Sequence, residues 1–285
     1  MIYICADDYG LCNASSEHIL ECAKKGALNK ISVFPGASGD LYNKLSDNIN
    51  ISLHINLVDG KCMAHPEEID LIAHKNGRFR HSFAGLTYLW LFKRKKFEAQ
   101  LYKEIKAQVA SRKDFTDKDS PILIDTHQHT HMIPSVFKVL LKVIEDKKVN
   151  LKYLRIPSEP IMPFVKTPSL YFTYSPVNIV KQWVLKIMWL FNKRKAKKHN
   201  IPSAYFFGIL FSGDMDLKRV EKVLPKFIKL AKKKNKDLEI LFHPGYITQG
   251  EITAEVSDAK FKEFYLSENR KTEFDTVMKI SLKEV

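Results

Sequence analysis

Short apolar segments alternate with helical patterns along this 285-residue chain, and that alternation restricts the fold more than any other feature. Six segments have the composition of short strands: 1–6, 31–34, 51–57, 122–125, 153–156 and 238–243. Amphipathic helical patterns separate several of them: 16–25, 97–109, 136–144 and 220–230. Strands that alternate with helices predict an α/β fold with a parallel sheet, open or closed into a barrel.

The length and the 45% hydrophobic content allow a sizeable core, and we expect a single domain over residues 1–285. The least regular region is 157–203, which is rich in proline and aromatic residues. It is too long for a simple connector. We therefore interpret it as a basic, aromatic insertion that forms a lid or faces the substrate.

Basic residues outnumber acidic ones by 46 to 32, which gives a formal net charge of +14. Nucleic acid, anionic lipid and an anionic substrate are all compatible partners, and so are simple solvated lysine-rich helix faces. Two basic clusters, 93–96 and 193–198, follow the aromatic and aliphatic runs 86–92 and 183–191. Neither run reaches the roughly 20 apolar residues of a membrane span. They form either an interfacial, lipid-contacting surface or ordinary core helices with charged ends.

The cysteines and the N-terminal sequence bear on localisation. Cys5, Cys12, Cys22 and Cys62 follow no paired metal-ligand spacing, so we expect reduced thiols in a cytosolic protein. The first residues run into an acidic pair without a basic leader or a long apolar core, so no signal peptide is visible. We expect a cytoplasmic protein, with peripheral contact at the inner membrane surface as an open alternative.

Polar residues stand where predicted strands end, and in parallel α/β folds these ends meet at one edge of the sheet. The pair Asp7 and Asp8 follows the first strand, and His54 lies in the third. The block Asp-Thr-His-Gln-His-Thr-His occupies 125–131, and His243 begins a His-Pro-Gly sequence after the last strand. These side chains are therefore expected to converge.

The block 125–131 carries the most histidines. If it stays extended, Asp125, His127, His129 and His131 project on one side toward one pocket. A single histidine is commonly a satisfied core or surface residue, but an alternating face of three favours a function. A fortuitous repeat is the alternative.

The acidic pair has two interpretations. Asp7 and Asp8 fit a helix N-cap with a first-turn acid. They also fit a metal site, because one carboxylate with two imidazoles leaves positions open on a divalent cation for water and a substrate oxygen. The second carboxylate then accepts the proton of that water.

Three further residues each have two possible roles. His243 is either a turn residue or a general acid or oxyanion donor. Arg155 and Glu159 form either an ordinary ion pair or a pair that orients the catalytic acid or binds substrate hydroxyls.

Together these motifs resemble the YdjC-like carbohydrate deacetylase family. The resemblance rests on Ala-Asp-Asp-Tyr-Gly at the start, a Leu-His segment, Asp-Thr-His-Gln-His-Thr-His-Met-Ile-Pro and a late His-Pro-Gly, all in order. It implies a (β/α) barrel-like fold of the distorted TIM type and metal-assisted removal of an acetyl group from an N-acetylated sugar. The segment 205–215 resembles the hopanoid-associated branch more than the chitooligosaccharide branch, so the substrate stays open.

The resemblance also implies roles for individual residues. Asp8, His54 and His127 correspond to ligands of one divalent metal ion, Mg²⁺ or Zn²⁺, and Asp7 to the general base. His243 corresponds to the general acid. We expect Arg155, Glu159, His129 and His131 to bind or orient the substrate.

Two other functions compete with this one. A metal-dependent phosphoesterase explains the basic surface, and a face of His127, His129 and His131 supplies the second metal site that such enzymes commonly use. A non-enzymatic protein that binds anionic membrane or nucleic acid is the other alternative, although no nucleic-acid module is recognisable. The sequence leaves a homodimer open.

Overall fold

The computed structural model of the chain describes residues 1–37, 39–46, 48–111, 120–251 and 263–280. Within them, seven strands form one sheet: β1 (Ile2–Tyr9), β2 (Lys30–Val33), β3 (Asn50–Ile55), β4 (Ile122–Thr126), β5 (Leu151–Leu154), β6 (Tyr205–Phe207) and β7 (Leu238–Phe242). Their order is β5-β4-β3-β2-β1-β7-β6, and every neighbouring pair is parallel. The predicted parallel α/β architecture is confirmed.

Helices connect the strands and cover the sheet. In the described residues they are α1 (Asn13–Lys25), α2 (Gly39–Asn43), α3 (Phe83–Phe92), α4 (Arg94–Ala110), α5 (Pro134–Asp146), α6 (Met162–Val165), α7 (Pro176–Lys198), α8 (Leu217–Lys234) and α9 (Glu268–Lys279). Apolar residues of α1 and α8 pack with those of β1 and β7 in one large core cluster. A second cluster joins α4 and α5 to β3 and β4.

The sheet curls, so that side chains from strands far apart in the sheet order meet on its concave side. Tyr153 of β5 donates a hydrogen bond to Glu239 of β7, although four strands lie between them in the sheet order. Arg155, just after β5, also contacts Glu239, with Nε 3.0 Å from Oε1. Tyr153 lies 5.6 Å from Tyr3 of β1, ring centroid to centroid. The strands thus form a curled half-barrel, which confirms the predicted barrel-like fold.

Region 157–203 is more regular than its sequence predicts. It contains α6, a short 3₁₀ segment (Pro168–Thr173) and the 23-residue helix α7. Pro176 stands at the first turn of α7, where the missing backbone N–H breaks no helical hydrogen bond. The prolines therefore mark helix starts here rather than irregular chain. A lid role for this region and a single domain over the whole chain stay predictions.

Candidate active site

An irregularity near the end of β1 directs two consecutive carboxylates into the interior. Neighbouring side chains of a regular strand point to opposite faces, yet Asp7 and Asp8 are both buried. Asp8 has φ of 73°, a left-handed conformation that is uncommon outside glycine. The register of β1 against β2 is irregular between Ala6 and Tyr9. Strained backbone of this kind is concentrated at functional sites.

Asp8, His54 and His127 meet at one point. Asp8 Oδ1 lies 2.9 Å from His127 Nδ1 and 3.6 Å from His54 Nε2. His54 Nε2 and His127 Nδ1 are 3.4 Å apart. Zinc–nitrogen bonds of roughly 2.0–2.1 Å place neighbouring ligand atoms about 2.9–3.4 Å from one another. The triangle therefore has the dimensions of three ligands on one face of a divalent ion.

In each imidazole of this triangle, the nitrogen that points away from Asp8 is hydrogen-bonded to a carboxylate. His54 Nδ1 lies 2.6 Å from Asp125 Oδ1, and His127 Nε2 lies 2.9 Å from Asp59 Oδ2. Because a carboxylate accepts from the N–H of a neutral imidazole, the remaining nitrogen presents a lone pair toward Asp8. Asp8 Oδ1 is buried and has no hydrogen-bond partner. Lone pairs from three residues thus face one point, which is the donor set of a cation site with outer carboxylates.

The pKa values of the two histidines show the same preference for positive charge. Burial lowers the pKa of His54, but Asp7, Asp125 and Asp8 outweigh it and raise it to about 10. Burial opposes protonation of His127 as well, yet the Asp8 charge and the Asp59 hydrogen bond raise its pKa. A site that stabilises imidazolium also stabilises a metal ion in competition with protons.

Asp8 is anchored through its second oxygen. Tyr265 Oη donates to Asp8 Oδ2 at 3.2 Å, and Arg270 Nη2 donates to the same oxygen at 3.2 Å. Burial raises the pKa of Asp8, but the nearby positive charges of His127 and Arg270 hold it well below its usual range. The carboxylate is therefore ionised and fixed in direction.

Asp7 is held by Arg155 and lies outside the triangle. Arg155 Nη1 donates to Asp7 Oδ2 at 2.6 Å, and Nη2 donates to Oδ1 at 2.8 Å. Asp7 Oδ2 is 4.0 Å from His54 Nε2. Burial raises the pKa of Asp7, but the Arg155 charge outweighs burial and brings it to about 2. Asp7 is thus an ionised carboxylate beside the metal ligands.

A buried network of charges supports Arg155 and Asp125. Lys30 Nζ lies 2.8 Å from Glu239 Oε1 and 3.2 Å from Asp125 Oδ2. Cys5, Asp7 and Asp125 also form a cluster of metal-ligand dimensions. Arg155 Nη2 lies 3.2 Å from Cys5 Sγ and 3.2 Å from Asp125 Oδ2. The guanidinium therefore supplies the positive charge of this second cluster.

The predicted extended histidine face is wrong. The chain leaves β4 at Thr126 and turns into a 3₁₀ segment (His127–Met132), with left-handed φ of 50° at Gln128 and 55° at His129. His131 instead bonds Thr126 Oγ1 and the Arg155 carbonyl, each at 2.7 Å. Hydrogen bonds that the side chain of Thr126 makes to the turn compete with continuation of the strand.

His129 and His131 consequently differ from His127. Burial, with the charge of Arg155, lowers the pKa of His129 well below its usual range, and its ring lies 5.7 Å from that of Phe206. Burial lowers the pKa of His131 to about 4. Both imidazoles are therefore neutral near pH 7. A role for either in substrate binding stays a prediction.

Arg155 and Glu159 do not form the ion pair offered as one alternative. Arg155 pairs with Asp7, Asp125 and Glu239. Glu159 accepts hydrogen bonds from three consecutive backbone N–H groups, those of Gly208, Ile209 and Leu210. Both side chains are fully buried. Arg155 thus orients Asp7, and Glu159 fixes the turn after β6.

His243 lies at the same sheet edge. Phe242 pairs with Ala6, so the chain brings His243 alongside the end of β1. Its Nδ1 is 3.6 Å from Glu273 Oε2, and its side chain is partly exposed. A role of His243 in proton transfer stays a proposal.

Several site residues were absent from the sequence predictions. Asp59, Tyr265 and Arg270 contact His127 or Asp8, and they lie in loops or near the end of the chain without a recognisable motif. Glu239 could have been found from the sequence, because a single acid inside the apolar strand Leu-Glu-Ile-Leu-Phe indicates a buried, paired carboxylate. Lys30 stood at the edge of a predicted strand, where a solvated lysine is the ordinary expectation.

Several curated proteins have sequences similar to this chain. A carbohydrate deacetylase of Danio rerio is 26% identical over 170 residues, which cover 57% of this chain and 51% of that protein. The Xenopus laevis carbohydrate deacetylase is 28% identical over 163 residues, and the Homo sapiens protein is 25% identical over 170. These matches cover 55% of this chain in both cases, and 51% and 49% of the relatives. The chain thus spans about half the length of these curated relatives.

A solved structure shares the fold. It is a proposed cellobiose-phosphate cleavage protein from Enterococcus faecalis V583, with a TM-score of 0.67 and 17% identity. The likeness covers 99% of this chain and 92% of that one. The model of the YdjC-like protein family matches residues 1–285. The chain therefore belongs to the YdjC-like protein family.

Proposed function

We propose that this protein is a metal-dependent hydrolase that removes the acetyl group from an N-acetylated sugar, releasing acetate and an amino sugar. The names of the relatives, carbohydrate deacetylases, support the reaction and the substrate class. The metal-ligand geometry supports the dependence on a divalent ion.

One observation carries the proposal: the unpartnered, buried Asp8 Oδ1 faces one nitrogen each of His54 and His127, whose other nitrogens are bound by carboxylates. Three protein ligands leave coordination positions open, as in catalytic rather than structural metal sites. When bound, the divalent metal supplies Lewis-acid chemistry, which polarises the amide carbonyl and lowers the pKa of a water.

Asp7 accepts the proton of the attacking water in this proposal. Arg155 fixes both of its oxygens, so the carboxylate is ionised and does not rotate away. Its pKa of about 2 keeps the carboxylate ionised at neutral pH, and therefore free to accept a proton.

His243 donates a proton to the leaving amine in the same proposal. Its backbone N–H and its Nδ1 both face the buried carboxylate of Glu273, which orients the ring. Protonation of the nitrogen lets the carbon–nitrogen bond break, and acetate and the free amine separate.

The experiment is acetate release by the purified protein over N-acetylated mono-, oligo- and lipid-linked sugars, with Mg²⁺ or Zn²⁺ added. We expect release from at least one class, and loss of release when a chelator removes the metal. Absence of acetate release across the whole panel with either metal would overturn the proposal. Because carboxylate with imidazole suits several divalent ions, Mg²⁺ and Zn²⁺ both remain candidates.

The phosphoesterase alternative loses its second metal site. Among the described residues, the clusters with metal-ligand dimensions are Asp8 with His54 and His127, and Cys5 with Asp7 and Asp125. Neither includes His129 or His131. Peripheral contact with an anionic membrane and a homodimer remain predictions.

A further inference from the structure

Helix α7 buries three amide side chains beside the apolar Leu185, Met188 and Ala196. Its inward face buries the amides of Asn178, Gln182 and Asn192. Asn178 Nδ2 donates to the Ser212 carbonyl at 2.9 Å, and Asn192 Nδ2 donates to the Met132 carbonyl at 2.7 Å. Surface helices normally turn their apolar side toward the core. Amide hydrogen bonds therefore help hold α7 in place.

The outward face of α7 is apolar. Its exposed large side chains recur at spacings of three and four residues, which places them on one side of the helix. They are Val180, Trp183, Ile187, Leu190 and Phe191. This stripe remains uncovered over about three turns.

Helix α3 extends the stripe sideways. Trp90 lies 5.7 Å from Phe191, ring centroid to centroid, so the two helices adjoin at this point. Tyr88, Leu91 and Phe92 of α3 are exposed as well. We call the α3/α7 face the eight residues Tyr88, Leu91, Phe92, Val180, Trp183, Ile187, Leu190 and Phe191. Each of them is 51% to 65% exposed. Contiguous exposed apolar patches mark interaction sites.

Basic residues border this face and acidic ones are missing from its helices. Residues 93–96, Lys-Arg-Lys-Lys, follow α3 and are exposed. The last turns of α7 carry a second cluster within 193–198. Neither Phe83–Phe92 nor Pro176–Lys198 contains an aspartate or glutamate. An apolar, aromatic centre with cationic borders matches the interfacial layer and head groups of an anionic bilayer.

We infer that the α3/α7 face binds the surface of anionic phospholipid bilayers, with its aromatic residues in the interfacial layer and its lysines at the head groups. No described helix has both the length and the apolarity to cross a membrane. A second copy fits the face less well, because a two-fold contact joins identical patches and brings together two copies of the basic 193–198 cluster, which contains no acid.

The buried side of helix α7, opposite the exposed face, packs toward the candidate site. Leu185 and Met188 of α7 pack with Met132 and Phe206, and the ring of His129 contacts Phe206. Bilayer binding at this face thus holds the site close to the membrane surface. The inference does not depend on the proposed reaction.

Vesicle flotation of the full chain tests the inference. We expect the protein to float with vesicles that contain phosphatidylglycerol, and not with vesicles of phosphatidylcholine alone. The double variant Trp183→Glu with Ile187→Glu removes apolar burial and adds negative charge, so binding should fall by more than about 100-fold. The thermal unfolding of this variant should match wild type, since both side chains are exposed.

A matched pair of lysine variants tests the charge contribution. Lys197→Gln with Lys198→Gln, in the last turn of α7, should weaken partitioning by about 30-fold at low salt. Lys233→Gln with Lys234→Gln removes the same charge in the last turn of α8, where no large exposed apolar residue lies among the described ones, and should leave binding nearly unchanged.

Three outcomes would overturn the inference. One is absence of flotation with anionic vesicles, and another is equal binding by the Trp183 and Ile187 double variant. The third is a concentration-dependent dimer that this variant dissociates, without vesicle binding by wild type, because a second copy then occupies the face.

Discussion

The candidate active site and the α3/α7 face both reverse the usual distribution of polarity, in opposite directions. The site buries Asp7, Asp8 and Arg155 almost completely, whereas the face exposes Trp183 and Phe191. Ordinarily charged residues are solvated and large apolar residues are covered. Sequence and structure commonly violate such rules where function requires it.

The two reversals are maintained in different ways. The buried charges are paired with one another, so removal of one leaves its partners uncompensated in a low-dielectric interior. The exposed apolar residues are more than half accessible to solvent, and buried residues on the opposite side of α7, the amides with Leu185 and Met188, anchor the helix. Substitutions in the site should therefore affect folding and chemistry, and those in the face should affect only binding.

The largest expected effect on stability comes from Arg155. Arg155→Met leaves the carboxylates of Asp7, Asp125 and Glu239 without their shared guanidinium. We expect the free energy of unfolding to fall by about 3–5 kcal/mol, measured by urea unfolding at neutral pH. The control is Arg219→Met, at a more exposed pair with Asp216, where about 1 kcal/mol or less is expected. Equal, small losses in both variants would contradict the account.

The next largest effect is the contribution of His131 to the pH dependence of stability. Its pKa of about 4 in the folded protein lies below the 6.5 of an unperturbed histidine. Below about 6.5 the unfolded chain binds a proton that the folded one does not, so stability present at neutral pH is lost as pH falls toward 4. The contribution between pH 7 and pH 5 is about 2 kcal/mol.

Urea unfolding at the two pH values measures this contribution as a difference between variants. His131→Asn should show a smaller loss of stability on acidification than wild type, by about 2 kcal/mol. His199→Asn, at an exposed histidine, should lose as much stability between pH 7 and pH 5 as wild type does. An identical pH dependence in all three proteins would show that His131 is not a buried neutral group.

Substitution of Tyr265 should have a smaller effect, and it should change only the affinity for the metal. Tyr265→Phe removes the hydroxyl that donates to Asp8 Oδ2, while Arg270 keeps its own bond to that oxygen. Loss of one outer hydrogen bond should weaken Zn²⁺ binding by about tenfold, measured by competition with a chromophoric chelator. Tyr88→Phe, on the exposed face, serves as the control. Unchanged affinity in Tyr265→Phe would remove that tyrosine from the site.

The smallest effect is expected at Trp183. Trp183→Ser removes a large side chain that is mostly exposed, so the free energy of unfolding should change by no more than about 0.5 kcal/mol. Urea unfolding under the conditions used for Arg155→Met makes the contrast direct. A loss above about 1 kcal/mol would mean that Trp183 supports the fold, and that the exposed face contributes to stability as the buried charges do.

The sequence predicts well which strands contribute residues to the site, because polar residues at the ends of parallel strands meet at one edge of the sheet. The side chains of Asp8, His54 and His127, selected from the family resemblance, lie together in the structure. Most strand positions followed from apolar runs. β6 was missed, since three residues give no periodicity.

What the sequence could not supply are contacts made by turns and distant loops. The left-handed turn at Gln128 and His129 separates His129 and His131 from His127, and no glycine marks it. Asp59 and Tyr265 reach the site from 68 and 257 positions away from His127 and Asp8. For α7 the sequence left an interfacial surface and a core helix as equal alternatives, because aromatic, aliphatic and basic residues are typical of both.

One paired measurement tests the central claim most directly: bound metal and acetate release for wild type, Asp7→Asn, His127→Ala and the exposed control His199→Ala. We predict that Asp7→Asn keeps its metal and loses acetate release by about 10²–10⁴-fold. His127→Ala should lose both metal and release, and His199→Ala neither. Acetate release retained in both purified Asp7 and His127 variants would contradict the account.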